Sequence, residues 1–323
     1  MSPSQVSPPE PPSGVLRWGI VGLGVAGRAR ARAIASDPRA LTVAVFRGQV
    51  EQTGPYRAET FAQLLSMVDA VAICSPDVTH PDLVREALGA GRHVVCEFPL
   101  AGTAKVAREL LGIARRRGRV LHVEHIELLD GPCRVLRELA RGWPLQGGAL
   151  SFVGARRRGI YGVAHANLAR LSRLVDAVGL PEAVRVDMRG PRFLKGALLF
   201  PGGAVVRLDF RQDDDQPRRT ELLLDGDQGP LRQCDQRVWR GEQELAVPPV
   251  PGLFLQDQLV ASARILDGIS SYISDERIVD LISLADALVR SSPGGGWLPF
   301  VPGSTLAPED EIEPGLADGE DAD

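Results

Sequence analysis

Apolar positions in the first 125 residues come in short runs separated by helical patterns. VLRWGIVG (15–22) reads as a strand, GRARARAIASD (27–37) as a helix and LTVAVF (41–46) as a second strand. TFAQLLSM (60–67) is helical, AVAICS (70–75) a strand, PDLVREALGAG (81–91) a helix and HVVCEF (93–98) a strand. AKVARELLGIARRRG (104–118) is a helix with Gly118 placed to cap its end, and VLHVEH (120–125) is one more strand. Strands alternating with helices of this length are βαβ units on a parallel sheet.

From about residue 147 the texture changes. ALSFVGAR, EAVRVDMRG, GALLFPGGAVVRLDFRQ, RTELLLDG and RVWRGEQELAV are strand runs joined by turns with Gly and Asp, and Gly202–Gly203 marks a hairpin. Helices return at FLQDQLVASARILDGI (254–269) and ERIVDLISLADALVRSS (276–292). The expected fold is α/β, with a Rossmann-type doubly wound parallel sheet followed by an α+β domain on a large open antiparallel sheet. The expected boundaries are a Pro/Ser-rich disordered tail at 1–14, a nucleotide domain at 15–127, a substrate domain at 128–300 and an acidic disordered tail at 301–323.

The length of 323 residues suits two domains of roughly 150 each. No apolar run approaches the ~18–20 residues of a membrane span, so no membrane partner is expected. The N-terminus lacks the basic start and apolar stretch of a secretory signal. Cys74, Cys96, Cys133 and Cys234 form no CxxC pair, which fits buried thiols in a reducing cytoplasm. The last 23 residues hold eight acidic side chains and no Lys or Arg; removing them from the net charge of −4 leaves +4 on residues 1–300. That mild excess suits an anionic small molecule, whereas nucleic acid would call for a basic stripe with aromatics.

Gly22-Leu23-Gly24-Val25-Ala26-Gly27 is G-x-G-x-x-G, set after a strand and opening a helix. The first glycine serves the tight turn, the second lets backbone approach a pyrophosphate, and the third packs helix on strand. The helix N-terminus offers free N–H groups to the phosphates. Arg47 closes the next strand, where an acidic residue would hold a ribose 2′-OH and Arg accommodates a 2′-phosphate. NADPH is therefore expected ahead of NADH, the competing reading of Arg47 being a solvated surface residue.

CSPDVTH (74–80) and AGRHVVCEFPLA (90–101) resemble the glucose-fructose oxidoreductase/inositol dehydrogenase superfamily. That superfamily usually has Glu-Lys-Pro where this chain has Glu97-Phe98-Pro99, and Asp and His where it has Ala169 and Arg173, with Asp176 retained. The Lys and His that manage an alcohol proton are thus absent. VLHVEHIELL (120–129), Arg170-Leu171-Ser172-Arg173 and GLFLQDQ (252–258) are similar to the superfamily's biliverdin reductase branch. The resemblance runs over about residues 15–292 and is thin between 182 and 248. It implies reduction of the C10 methine bridge of biliverdin IXα by NADPH, giving bilirubin. It also implies cofactor contacts at Ser75, Pro76, His80, Glu97 and Phe98, and a tetrapyrrole held by Phe98, Glu124, His125, Arg170 and Arg173. The branch usually carries Tyr where this chain has Phe98.

Arg170 and Arg173, three apart on a helix, share a face and can bind lactam or propionate oxygens. Arginine is a poor proton donor, so an electrostatic role beside a positioned water is expected for this catalytic pair. His122 and His125, three apart on a strand, face opposite sides, and no Cys/His cluster completes a metal site. Glu124 and Glu127 are candidates to approach the cleft, or to make structural hydrogen bonds. His165 is a candidate pocket residue, and Arg156, Arg157 and Arg158 either bind propionates or form a solvated turn. Another NADP-dependent oxidoreductase and a non-catalytic NADP(H) sensor are the alternative functions, and a homo-oligomer is compatible with the second domain.

Overall fold

The apolar runs of the first 125 residues become strands whose side chains are buried on both faces. A computed structural model describes residues 14–48, 54–156, 161–250 and 252–303; most of both expected tails, Glu51, Arg157 and Arg158 lie outside the described residues. Strands β1 (Leu16–Val21), β2 (Ala40–Phe46), β3 (Tyr56–Arg57), β4 (Ala70–Ile73), β5 (His93–Cys96) and β6 (Leu121–Val123) form a parallel sheet. Its order is β3-β2-β1-β4-β5-β6. The order reverses between β1 and β4, and such a reversal opens a ligand crevice at the carboxyl ends of the strands.

Helices α1 (Val25–Ala35), α2 (Phe61–Met67), α3 (His80–Gly89) and α4 (Ala104–Arg116) cover this sheet. Thr60 and Thr103 accept hydrogen bonds from Gln63 N and Val106 N and so start α2 and α4. At α1 the capping position is Gly24, with no side-chain cap. The first N–H groups of α1 are thereby left to face outward.

The chain continues through α5 (Gly131–Ala140), β7 (Leu145–Gly154), α6 (Val163–Ala166), α7 (Leu168–Val178), β8 (Ala183–Gly190), β9 (Phe193–Leu199) and β10 (Val205–Gln212). It goes on through β11 (Arg219–Gly226), β12 (Leu231–Cys234), β13 (Arg237–Arg240) and β14 (Gln243–Leu245). Then come α8 (Leu253–Asp267), α9 (Asp275–Arg290) and β15 (Leu298–Pro299). The second sheet runs β14-β13-β12-β11-β7-β10-β9-β8-β15.

Its neighbouring pairs are antiparallel except β7 and β10, which are parallel. The expected antiparallel sheet is thus mixed. The cause is the crossover through α6 and α7, which returns the chain at β8, three strands away, to work back by hairpins to β7. In β11, Thr220, Leu222 and Leu224 point to the buried face, while Arg219 and Glu221 point to the open face. That open face carries ion pairs, among them Arg211–Asp209 at 2.6 Å and Arg232–Glu221 at 2.8 Å.

Helix α8 follows the second sheet in sequence yet packs on the first. Its Ala261 joins Trp18, Ile20 and Ile34 in a small core beside α1. Here Asp257 and Arg30, both fully buried, form an ion pair at 2.6 Å. Removing one partner of a buried pair strands the other charge in low dielectric. Asp257→Ala should therefore lower stability by about 3–5 kcal/mol in urea unfolding. Asp267→Ala breaks only the exposed pair with Arg39, so the loss should stay below about 1 kcal/mol.

Candidate active site

Three glycines shape the loop between β1 and α1. Gly22 has φ +84°, and a Cβ there would lie 3.0 Å from the Cys74 carbonyl oxygen. At Gly27 a Cβ would fall 1.9 Å from the Gly22 carbonyl, so any side chain would separate helix from strand. A Cβ at Gly24 would meet nothing within 4 Å. Open space thus lies before the uncapped end of α1, where Val25 is 82% exposed. This cradle fits a dinucleotide pyrophosphate.

Leu23 and Ala26 complete the loop. A Cβ at Gly48 would meet Leu23 Cδ1 at 2.8 Å, so the end of β2 presses on the glycine loop. Arg47 stands there, exposed, at φ +57°, with its guanidinium 5.2 Å from the Phe46 ring centroid. A cation beside the loop and at the end of β2 fits a ribose 2′-phosphate.

The loops after β4 and β5 form the other end of the crevice. Ser75 Oγ and Thr79 Oγ1 are 2.7 Å apart, closing the turn that contains Pro76. His80 is buried, with Nδ1 2.8 Å from the Pro99 carbonyl and Nε2 2.9 Å from the Ser75 carbonyl. It ties the two loops together, so its action on a cofactor is through their shape. Phe98 stacks on His125, with centroids 5.7 Å apart and planes inclined by 21°. The two candidates separated by 27 positions in sequence are thus one aromatic wall.

Beneath that wall is a buried polar network. Asp257 Oδ1 receives hydrogen bonds from His122 Nε2 at 2.7 Å and Tyr272 Oη at 2.6 Å, and Tyr272 Oη accepts from His125 N at 2.9 Å. Arg264 donates to His122 Nδ1 at 3.1 Å. A guanidinium only donates, so Nδ1 is the bare nitrogen and Nε2 carries the proton. Burial alone would raise the Asp257 pKa, but His122 and Arg30 overcome it and hold the carboxyl well below the usual carboxylate range.

Arg30 NH2 also lies 3.6 Å from Glu97 Oε1. Glu124 N donates to the Cys96 carbonyl at 2.9 Å and Glu124 Oε1 accepts from Ile126 N at 2.8 Å, which sets Glu124 at the end of β5. Burial raises both glutamates above the ordinary range, Glu124 further because Glu97 and Asp257 add their repulsion.

Strand β6 ends at Val123, so the expected strand to residue 125 stops short and a helical turn over 126–128 follows. His122 therefore faces the network while His125 faces Phe98. Glu127, on that turn, binds Arg173 NH2, and Asp130 Oδ2 lies 3.5 Å from the same nitrogen. Arg170 spreads over the Phe152 ring, 4.0 Å from its centroid, and its NH1 is 3.5 Å from the Ala166 carbonyl. Both arginines are largely buried, at 7% and 5% exposure, and Arg173 is matched by two carboxylates. The two guanidiniums expected to share a helix face are both anchored, Arg170 over Phe152 and Arg173 by carboxylates.

The loop after β7 reaches back to the first domain. Tyr161 lies over Gly102, where a Cβ would be 2.6 Å from its ring, and His165 Nε2 is 2.9 Å from the Gly102 carbonyl. Burial lowers His125 and His165 from 6.5 to about 4.

Arg30, His122, Asp257 and Tyr272 had no assigned role in the sequence. The signal for Arg30 was its place on the stripe Gly27, Arg30, Ala33 and Ile34, the buried face of α1. Among the described residues, no group of three His, Cys, Asp or Glu is placed to hold a metal, and the four cysteines are unpaired.

A sequence model of the family described as "Oxidoreductase family, NAD-binding Rossmann fold" matches residues 16–125. The chain is 34% identical over 143 residues to biliverdin reductase A of Mus musculus, covering 42% of this chain. That match spans about half the length of the mouse relative, 48%. It is 29% identical over 259 residues to dTDP-3,4-didehydro-2,6-dideoxy-alpha-D-glucose 3-reductase of Streptomyces antibioticus, covering 68% of this chain and 76% of that one. Biliverdin reductase of Synechocystis sp. PCC 6803, solved with biliverdin and NADP+, superposes with a TM-score of 0.75 at 28% identity. The superposition covers 85% of this chain and 98% of that one.

Two tests separate the roles of these groups. Gly24→Ala should fold with unchanged Tm and lose dinucleotide affinity, because its Cβ fills only the open cradle; Gly27→Ala should lose both. A histidine lowered from 6.5 to about 4 contributes stability that is complete above pH 6.5 and lost as pH falls to 4. The buried carboxyl pair works in the opposite sense, so a difference curve is needed. Stability of the wild type minus that of His165→Gln should rise from pH 4 to 6.5 by up to about 1.4 kcal/mol per pH unit.

Proposed function

Because residues 16–125 match the model of the oxidoreductase family with an NAD-binding Rossmann fold, we propose that this chain reduces the C10 methine bridge of biliverdin IXα with NADPH, giving bilirubin. One observation carries the reading. Where an alcohol-oxidising relative would place its Lys, Phe98 stacks on His125, and the turn that follows His125 anchors Arg173. An aromatic wall joined to fixed guanidiniums suits a planar, conjugated, dianionic substrate better than a sugar hydroxyl. The likeness to biliverdin reductases supports the same reading.

The bound cofactor supplies a hydride. The glycine loop and the N–H groups of α1 hold its pyrophosphate, and Arg47 holds the 2′-phosphate. Phe98 and His125 offer a flat apolar wall for the pigment. Arg170 and Arg173 stabilise the negative charge of lactam or propionate oxygens, with Glu127 and Asp130 fixing Arg173 so that little reorganisation is needed. Neither arginine gives up a proton, since a guanidinium stays charged. Among the described residues, no helix is long and apolar enough to cross a membrane; a cytoplasmic enzyme is part of this proposed reading.

The test is the absorbance of purified protein mixed with biliverdin IXα and NADPH. The biliverdin band should fall and a bilirubin band grow, both dependent on NADPH. Arg47→Ala should raise KM for NADPH by about 10–100-fold, the worth of one hydrogen bond to a charged group, with little change for NADH. NADPH binding without loss of the pigment band would remove biliverdin as substrate and favour another reduction, such as that of a sugar-nucleotide ketone.

A further inference from the structure

A carboxylate is held best by a guanidinium that gives it two parallel N–H bonds, and neither anchored arginine is placed to do so. Arg173 NH2 is held by Glu127 and lies 3.5 Å from Asp130 Oδ2. Its Nε is buried without a partner, a place for one acceptor atom. Arg170 lies over Phe152 and reaches toward the Ala166 carbonyl. The propionates of a dianionic pigment therefore call for another cation.

Arg218 stands where one is wanted. It ends the connection between β10 and β11. Thr220 of β11 points to the buried face, and Arg218, two positions earlier, takes the same side. Arg219 lies on the opposite, open face, 3.3 Å from Glu221. Arg218 NH2 comes to 3.7 Å from Glu127 Oε1, while the other oxygen of Glu127 binds Arg173. One carboxylate is thus bracketed by a buried guanidinium and an exposed one, their side chains 5% and 68% accessible. At 3.7 Å the Arg218 contact is ionic and too long for a hydrogen bond. Among the described residues, the Arg218 guanidinium donates no hydrogen bond, and its N–H groups face solvent at the rim of the crevice.

The loop that carries Arg218 is tied down. Asp213 N donates to the Gly154 carbonyl at 2.9 Å, and Arg156 N donates to Asp214 Oδ1 at 2.8 Å. Asp214 Oδ2 lies 3.7 Å from Arg192, and Asp213 Oδ1 accepts from Asp215 N at 3.0 Å. Asp213 and Asp214 are thus occupied by other partners, and Pro217 fixes a backbone angle just before Arg218.

We propose that Arg218 binds a propionate carboxylate of the substrate and selects the free acid over an ester. The proposal rests on the biliverdin reading above. The pigment's two propionates stand on the pyrroles that flank C10, so a carboxylate held at the rim fixes where C10 lies along the Phe98–His125 wall. Binding exchanges the loose contact with Glu127 for a two-bonded pair. Glu127 keeps Arg173 as its partner, so no carboxylate is left without a cation.

The test compares biliverdin IXα with its dimethyl ester on the full chain. Binding is read from the pigment's spectral shift in the presence of NADP+, and turnover from its reduction by NADPH. The wild type should bind the diacid more tightly than the ester. Arg218→Ala should raise Kd and KM for the diacid by about 10–100-fold, the worth of a hydrogen bond to a charged group, with kcat little changed. Its ester affinity, NADPH affinity and Tm should match the wild type, and Arg218→Lys should recover part of the diacid affinity. Arg219→Ala removes the same charge from the opposite face and should leave every value unchanged. An Arg218→Ala variant that keeps its diacid affinity, or loses as much for the ester, would overturn the assignment while the biliverdin reading stands. An equal loss in Arg219→Ala would also overturn it, leaving only long-range attraction. A wild type that binds neither pigment would overturn the assignment and the biliverdin reading together.

Discussion

The carboxylate of Asp257 is the constraint on which the arrangement depends. It is fully buried and takes Arg30, His122 and Tyr272 as partners. A buried ion pair adds little net stability compared with an apolar replacement, yet losing one member is severe. Its value here is registry. Arg30 belongs to the helix whose N-terminus faces the cofactor cradle, His122 to the last strand of the first sheet, and Asp257 to a helix from the far end of the chain. One carboxylate thus fixes three separate segments, and through Tyr272 it also holds the backbone at His125.

From that anchor the site follows. Helix α1 cannot shift along the sheet without exposing the Arg30 charge, so the open space at Gly24 keeps its place relative to Glu97 and Phe98. The stretch 124–130 then carries the arrangement into the second domain: Glu124 N meets the Cys96 carbonyl, His125 meets Phe98, and Glu127 and Asp130 meet Arg173. Seven consecutive positions therefore connect the loop after β5 to Arg173 of the second domain. From across the crevice, Tyr161 and His165 of the second domain reach Gly102.

Much of the first domain was legible because buried parallel strands and their helices leave a local signature in apolar spacing. The glycine loop was legible from its spacing, Gly22 and Gly27 answering to close contacts and Gly24 to the open space before α1. The second sheet was harder. Its strands could be read from alternation, but the parallel pairing of β7 with β10 depends on a crossover that no local pattern encodes. Helix α8 was recognised as a helix, while its packing on α1 was hidden by more than two hundred intervening residues. The site divided the same way. Glu97, Phe98, Glu124 and His125 were identified by type and place, but their pairing across two strand ends is a tertiary fact. Arg170 and Arg173 were expected to share one helix face; the carboxylates that hold Arg173 come from a stretch after residue 125 to which the apolar pattern assigned no element.

In the proposed function, cofactor and tetrapyrrole meet at the Phe98–His125 wall, between the glycine loop and the anchored arginines. A crystal structure of the full chain grown with NADP+ and biliverdin IXα measures this directly. The pigment should stack along Phe98 and His125, with its C10 against the nicotinamide. Pigment density on the open face of the second sheet, or a nicotinamide placed away from Phe98, would contradict it.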